Sequence, residues 1–410
     1  MRFRCRLAAA VAALAMLTGP VVAQTPLRGP DGDGFYIVPP LPAKPHGSVI
    51  WARPLTGTMA LPSAARNILV AYPSVDGLGG IAPVSGTIAI PQGEAPKGGW
   101  PVITWTHGTT GLNAICAPSR DTAGGPEHPY IETIRTLLDG FVKRGYAVVA
   151  TDYAGLGIAG FHPFLQGVPT GRNALDMLRA AREIEPAIGK RYAVMGHSQG
   201  GQVDLFTASL GPTYVPDFKL VGNVAFAPGS HIADRLNAVM KSDKTELSLP
   251  YVLYTLLSYA KSERSIDLMR ILTPQAIRHL PDLYVQCMSH ALSQGYWSKA
   301  IAKDQFVAKP DISIFREFAQ LNEPGRLRIT APTLIIQGTG DVTVFPEATD
   351  DLARQLCARG NVVAYKPIAG ADHNGSMKEG AAMAMDFIDA RFAGKKAENQ
   401  CKALPKAGKR

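Results

Sequence analysis

Hydrophobic positions along this chain follow two alternating rhythms. Short apolar runs closed by turn residues predict strands at 66–72, 84–90, 102–106 and 147–153, then at 192–196, 221–227, 333–337 and 362–366. Between them Ile131, Ile134, Leu137, Leu138 and Phe141 recur at helical spacing, as do Leu175, Leu178 and Arg182. Strands separated by helices need crossover connections, so the pattern predicts an α/β fold with a mostly parallel central sheet flanked by helices. The first two strands have no helix between them, which predicts an antiparallel start. Residues 24–62 are rich in Pro and Gly and read as an irregular lead-in.

The alternation breaks after the sixth of these strands. Residues 231–328 carry helical patterns, for example at 251–259 and 266–272, and loops with Pro274, Pro281 and Pro310, but no strand pattern of comparable strength. The sheet pattern resumes at Thr333. This stretch therefore predicts a helical cap inserted between strands six and seven of a core built from 24–230 and 329–410. A separate helical domain is the alternative organisation.

Composition adds a compartment. Hydrophobic residues at 46% and charged residues at 18% fit a globular chain with a sizeable core. Residues 1–23 stand apart: Arg2, Arg4 and Arg6 precede an apolar run over 7–17, and Val21-Val22-Ala23 offers a cleavage site before Gln24. Pro20 ends that run short of the roughly 18 residues a membrane span needs, so a removable signal peptide is expected rather than an anchor. Losing it takes three arginines from a net charge of +9. The remaining basic residues are dispersed, apart from the tail over 395–410. Nucleic-acid binding would gather them on one element with aromatic or helix-turn-helix support. The charge instead implies solvation, with at most a weak attraction to anionic lipid surfaces. Cys5 leaves with the leader. The other four, Cys116, Cys287, Cys357 and Cys401, are an even number in an exported chain, which favours disulfides. They lie too far apart for C-x-x-C metal or redox motifs.

The sharpest chemical signal is Gly196-His197-Ser198-Gln199-Gly200, between a predicted strand and a helical segment. A nucleophile on a strand-to-helix turn needs a strained backbone, and glycines two positions either side let strand and helix approach. A serine hydroxyl is a poor nucleophile until a base takes its proton, and that base needs an orienting carboxylate. Asp341 follows the strand 333–337, and His373 follows the strand 362–366. Both thus fall at carboxyl ends of strands, on the same sheet edge as Ser198. Asp350, Asp351 and Asp372 are the other candidate acids. The first two fall within a helical pattern, and Asp372 is too near His373 to orient it easily. Elbow geometry points His197 away from the serine. His46, His128, His162, His231, His279 and His290 follow no late strand and read as solvated or structural.

An oxyanion needs two backbone donors. Gln199, after the nucleophile, is expected to supply one. The loop His107-Gly108-Thr109-Thr110-Gly111 is expected to supply the other, from Thr109 or else Gly108, with the His107 side chain bracing the loop. Gly155-Leu156-Gly157-Ile158-Ala159-Gly160 matches a dinucleotide fingerprint, but His162-Pro163 interrupts the helix it requires; a flexible loop beside the catalytic face is the better account. No H-E-x-x-H or P-loop occurs, so neither a cofactor nor a metal is implied.

Taken together, Thr106-His107-Gly108, Thr151-Asp152-Tyr153-Ala154-Gly155, the serine elbow, the late helical insertion, Asp341, His373 and the cysteine layout resemble secretory lipases of the lipase-A type, within the α/β-hydrolase superfamily. The resemblance covers most of the mature chain. It implies hydrolysis of carboxylic esters, often lipids, with the insertion as a cap and the cysteines in two bridges. Four cysteines allow three connectivities. Cys116 follows the third strand on the edge the insertion would cover, and Cys357 and Cys401 flank the final strand and helix. Cys116–Cys287 and Cys357–Cys401 are therefore expected. The elbow itself is shared by esterases, lipases and peptidases. An acyl-peptide hydrolase or acyltransferase on the same triad, and a non-catalytic scaffold of this fold, are the other functions open to the sequence. It leaves acyl length, alcohol moiety and oligomeric state open.

Overall fold

The computed structural model describes residues 27–40 and 44–404; the leader expected over 1–23 lies outside them. Nine strands form one sheet: β1 (Trp51–Pro54), β2 (Arg66–Val75), β3 (Ile81–Ile90), β4 (Trp100–Thr106), β5 (Ala147–Thr151), β6 (Ile188–His197), β7 (Lys219–Phe226), β8 (Thr333–Gly338) and β9 (Val363–Ile368). Their spatial order is β1-β2-β3-β5-β4-β6-β7-β8-β9. The β1–β2, β2–β3 and β3–β5 pairs are antiparallel, and every later pair is parallel.

The eight expected strands all occur. The lead-in, however, contains β1, which the sequence pattern left irregular. Its Trp51 is buried against Phe35, Tyr36 and Leu69. The helical insertion consequently falls between the seventh and eighth strands of nine.

Strand side chains alternate between two faces, as the pleat requires. Ile103, Trp105, Ala193 and Met195 face one layer, shared with α1 (His128–Lys143). Val102, Val149, Tyr192 and Val194 face the other, shared with α2 (Gly167–Ile184). Helix α3 (Gln199–Tyr214) packs on α2 and on β7. After β7 come α4 (Ile232–Val239), α5 (Leu249–Ser262), α6 (Pro274–Val285), α7 (Met288–Ser293) and α8 (Ser313–Leu321). These enclose an apolar core of their own, with Leu236, Leu253, Tyr254, Ile271 and Phe315, which meets the sheet domain at Leu112 and Phe164. Helix α9 (Pro346–Ala358) and α10 (Gly375–Phe392) flank β9.

Disulfides join Cys116 to Cys287 and Cys357 to Cys401. The first ties the loop after β4 to the insertion, where Gly111 also bridges Cys287. Among the described residues no helix is long and apolar enough to cross a membrane.

Candidate active site

Ser198 sits between β6 and α3 with φ 60° and ψ −119°. A non-glycine residue held at positive φ costs of order 1–3 kcal/mol, so its surroundings must impose the conformation. They do: Ser198 N donates to Phe226 O, and Gly229 N donates to Ser198 O, each at 2.9 Å. Glycine is required on both sides. A Cβ on Gly196 would overlap the Gly200 carbonyl, and one on Gly200 would overlap the Thr106 carbonyl. Tyr153 and Ala227 also take positive φ, each just past the end of β5 or β7.

Asp341 occupies the turn after β8 and is buried. Its Oδ1 accepts Thr343 N at 2.8 Å and Val344 N at 2.9 Å; its Oδ2 lies 2.7 Å from His373 Nδ1. Burial alone would raise this carboxyl, but the His373 hydrogen bond and charge together with the two N–H donors hold it below the ordinary carboxylate value. His373 Nδ1 is thus the donor of the pair, which leaves Nε2 as an acceptor in the neutral ring. The rival acids are engaged elsewhere. Asp351 pairs with His231 Nε2 at 2.9 Å, Asp372 accepts Gly375 N, and Asp350 lies beside Tyr365.

The His197 ring lies 4.5 Å from the His373 ring. His197 Nε2 is 3.0 Å from the His373 carbonyl, which can only accept. Nδ1 is therefore the acceptor in the neutral ring, and burial keeps it neutral by pushing its pKa well below the ordinary value. Tyr130 Oη, 2.9 Å away, donates to that Nδ1 and accepts Gly108 N at 2.8 Å. This chain spends the Gly108 N–H, so of the two residues considered in that loop Thr109 keeps its amide unclaimed by Tyr130.

Thr109, Ser198 and Gln199 line one cavity of about 290 Å³. The Gln199 side chain meets His162, Nε2 to Nε2, at 3.0 Å, while His162 Nδ1 contacts the Ala154 carbonyl at 3.1 Å. Burial pulls His162 down to about 3, so it is neutral. Nδ1 then donates to Ala154 and Nε2 accepts from Gln199. His107 braces its loop: Nδ1 is 2.7 Å from Gly108 O and Nε2 is 3.3 Å from Asp152 O.

The loop expected to be flexible is packed. Leu156 and Ile158 are buried, and Asp152 at its root accepts from Ser85 Oγ, Ser119 N and Ser119 Oγ. Tyr130 and Arg235 carry no local sequence signal, while His162, expected to be solvated or structural, is buried and structural. His231 lines the cavity and pairs with Asp351. Among the described residues no cluster of His, Cys, Asp or Glu could hold a metal ion.

A mostly parallel sheet carrying a strained serine after β6, an acid after β8 and a histidine after β9 defines an α/β-hydrolase. The chain belongs to the secretory lipase family, whose model matches residues 130–400. It is 26% identical over 229 residues to Lipase A of Moesziomyces aphidis, an alignment covering 53% of this chain. The chain spans about half the length of that relative, 47%. Among solved structures, Candida antarctica lipase A in its closed state matches with a TM-score of 0.75 at 16% identity, over 88% of this chain and 86% of that one. A ligand-bound form of the rice cell wall degrading esterase LipA from Xanthomonas oryzae matches with a TM-score of 0.70 at 19% identity, over 86% of this chain and all of the other.

Proposed function

We propose that this protein is an exported serine hydrolase of carboxylic esters, with Ser198, His373 and Asp341 as its triad. The observations that carry the reading are the 2.7 Å Asp341–His373 hydrogen bond, formed past the ends of β8 and β9, and Ser198 held at positive φ after β6 in the wall of a largely apolar cavity, its neighbour His197 having its ring 4.5 Å from that of His373. Family membership and the two disulfides support it, the latter through the oxidising compartment they require.

Ser198 Oγ attacks the ester carbonyl carbon while His373 Nε2 takes its proton. Negative charge moves to the carbonyl oxygen, where the N–H groups of Gln199 and Thr109 receive it. Collapse breaks the bond to the alcohol oxygen, and the imidazolium returns the proton to that leaving group. Water then attacks the acyl-enzyme by the same route. Asp341 stays ionised throughout and stabilises the imidazolium. Residues 231–328 act as the cap, with Leu236, Val252, Thr255 and Phe315 lining the acyl site.

Turnover of 4-nitrophenyl esters of increasing chain length, beside matched amides and thioesters, tests this. Esters should be cleaved fastest, with water as acceptor. Preference for amides would indicate a peptidase. Faster transfer to added alcohol than to water would indicate an acyltransferase, and no turnover at all a non-catalytic scaffold.

A further inference from the structure

The cavity beside Ser198 is lined largely by apolar side chains, yet it also holds Arg235. His231, which precedes α4 at its N-terminus, and Arg235, in its first turn, both line the cavity. Arg235 Nη2 donates to Thr343 O at 2.5 Å, and the guanidinium lies 4.0 Å from the centre of the Phe345 ring. Among the described residues no carboxylate forms an ion pair with it. The acids whose fields reach it are Glu246 and Asp341. Glu246 accepts from Ser242 Oγ, and Asp341 is committed to His373 and the turn at Thr343. Asp234 also borders the cavity, but it is exposed and lies roughly 100° round the helix. Burial pulls the guanidinium below its ordinary value, yet arginine stays charged at any working pH. A cation drawn out of water without a counter-ion is costly, and an arriving anion relieves that cost.

We propose that Arg235 is a subsite for a single negative charge on the substrate, so that the cavity takes esters bearing a carboxylate on their acyl or alcohol part. The proposal rests on the ester-hydrolase reading. With one Nη2 hydrogen given to Thr343, the guanidinium still has a donor edge for a planar carboxylate, and Phe345 fixes the plane in which it is offered. A phosphate dianion suits the site less, because one cation faces it and Asp234 stands at the rim.

The test compares kcat/KM within two pairs of esters. The 4-nitrophenyl monoester of hexanedioic acid is set against 4-nitrophenyl hexanoate, and 3-carboxyphenyl butanoate against phenyl butanoate. In at least one pair the wild-type enzyme should hydrolyse the anionic member as well as the neutral one or better; the responding pair identifies the side of the ester. Arg235→Gln should lower the anionic-to-neutral ratio in that pair about tenfold or more, chiefly through KM, with Arg235→Lys intermediate. A wild-type preference for the neutral member in both pairs would overturn the proposal, and that result needs no variant to fold. So would an unchanged ratio in Arg235→Gln with both members equally weakened, since Arg235 would then only brace the Thr343 turn. If the wild type cleaves none of these esters while remaining folded, the ester-hydrolase reading fails and the subsite goes with it.

Discussion

The Tyr130 hydroxyl lies 2.9 Å from Nδ1 of His197 and joins the loop after β4 to the end of β6. Through it the Gly108 amide is tied to a ring whose other nitrogen holds the His373 carbonyl. Tyr130→Phe keeps the ring and removes the link. The orphaned Gly108 N–H and His197 Nδ1 should together cost about 2 kcal/mol of stability. Because the loop and the histidine backbone lose a shared support, kcat should fall roughly tenfold or more with little change in KM. Urea unfolding and steady-state kinetics on one ester check both, and an unaltered kcat would remove the relay from the mechanism.

Glu127 gives a pH dependence. It is buried, its Oε1 accepts Ser289 N at 2.7 Å, and burial raises its pKa to about 7. The folded state therefore binds this proton more tightly than the unfolded state. Its stabilising contribution is full below the ordinary glutamate pKa and is lost as pH rises through 7. At about 1.4 kcal/mol per unit, the loss is about 3 kcal/mol at most. Glu127→Gln keeps an acceptor for Ser289 N but cannot ionise. It should be more stable than wild type near pH 8 and close to it near pH 4, by denaturant melts at both. An equal change at both pH values would contradict the assignment.

The two disulfides should separate stability from catalysis. The Cys357–Cys401 bridge spans 44 residues, and neither cysteine lines the cavity. Replacing both cysteines with alanine should cost about 4 kcal/mol on chain-entropy grounds and leave kcat near wild type. The Cys116–Cys287 bridge spans 171 residues and packs against Gly111 in the loop after β4, the loop proposed to hold the oxyanion. Its double alanine variant should lose about 5 kcal/mol and also kcat. Thermal melts and ester turnover on the two variants make the comparison.

Acyl preference should follow Val252. Tyr251, Val252 and Thr255 line the cavity, whereas Tyr254 is buried in the insertion core against Phe164 and Leu257 lines a separate cleft. Val252→Phe should shorten the preferred acyl chain and Val252→Ala should lengthen it, since each buried CH₂ contributes about 0.8 kcal/mol. Profiles of kcat/KM against chain length would show the shift; equal losses at every length would mean that the residue only supports the fold.

The frame of this protein was legible because apolar period and turn chemistry act locally. The strand ends that carry Ser198, Asp341 and His373 follow from that frame. Strand β1 was not legible: four residues ending in Pro54 carry too little alternation, and Trp51 is buried only by partners distant in sequence. The run over 251–257 is apolar but for Thr255 and the tyrosine hydroxyls, so its pattern could not say which residues face the cavity. The role of Tyr130 and the partner of His162 were hidden for another reason. Their importance lies in hydrogen bonds to His197 and Gln199, 67 and 37 residues away, and no spacing rule encodes such pairs. The glycine-rich loop after β5 looked mobile by composition, yet the positive φ of Gly155 and Gly157 serves a packed turn.

The claim that the rest depends on is that Ser198 is the nucleophile, and Ser198→Ala tests it most directly. Wild type should hydrolyse a short nitrophenyl ester and be labelled by a fluorophosphonate at Ser198. The variant should do neither, while keeping a cooperative melt close to or above that of wild type, because the change removes only a hydroxyl. Loss of His373 should cost about as much, since the members of such a triad act as a unit. A folded Ser198→Ala protein that retains full ester turnover would contradict the account.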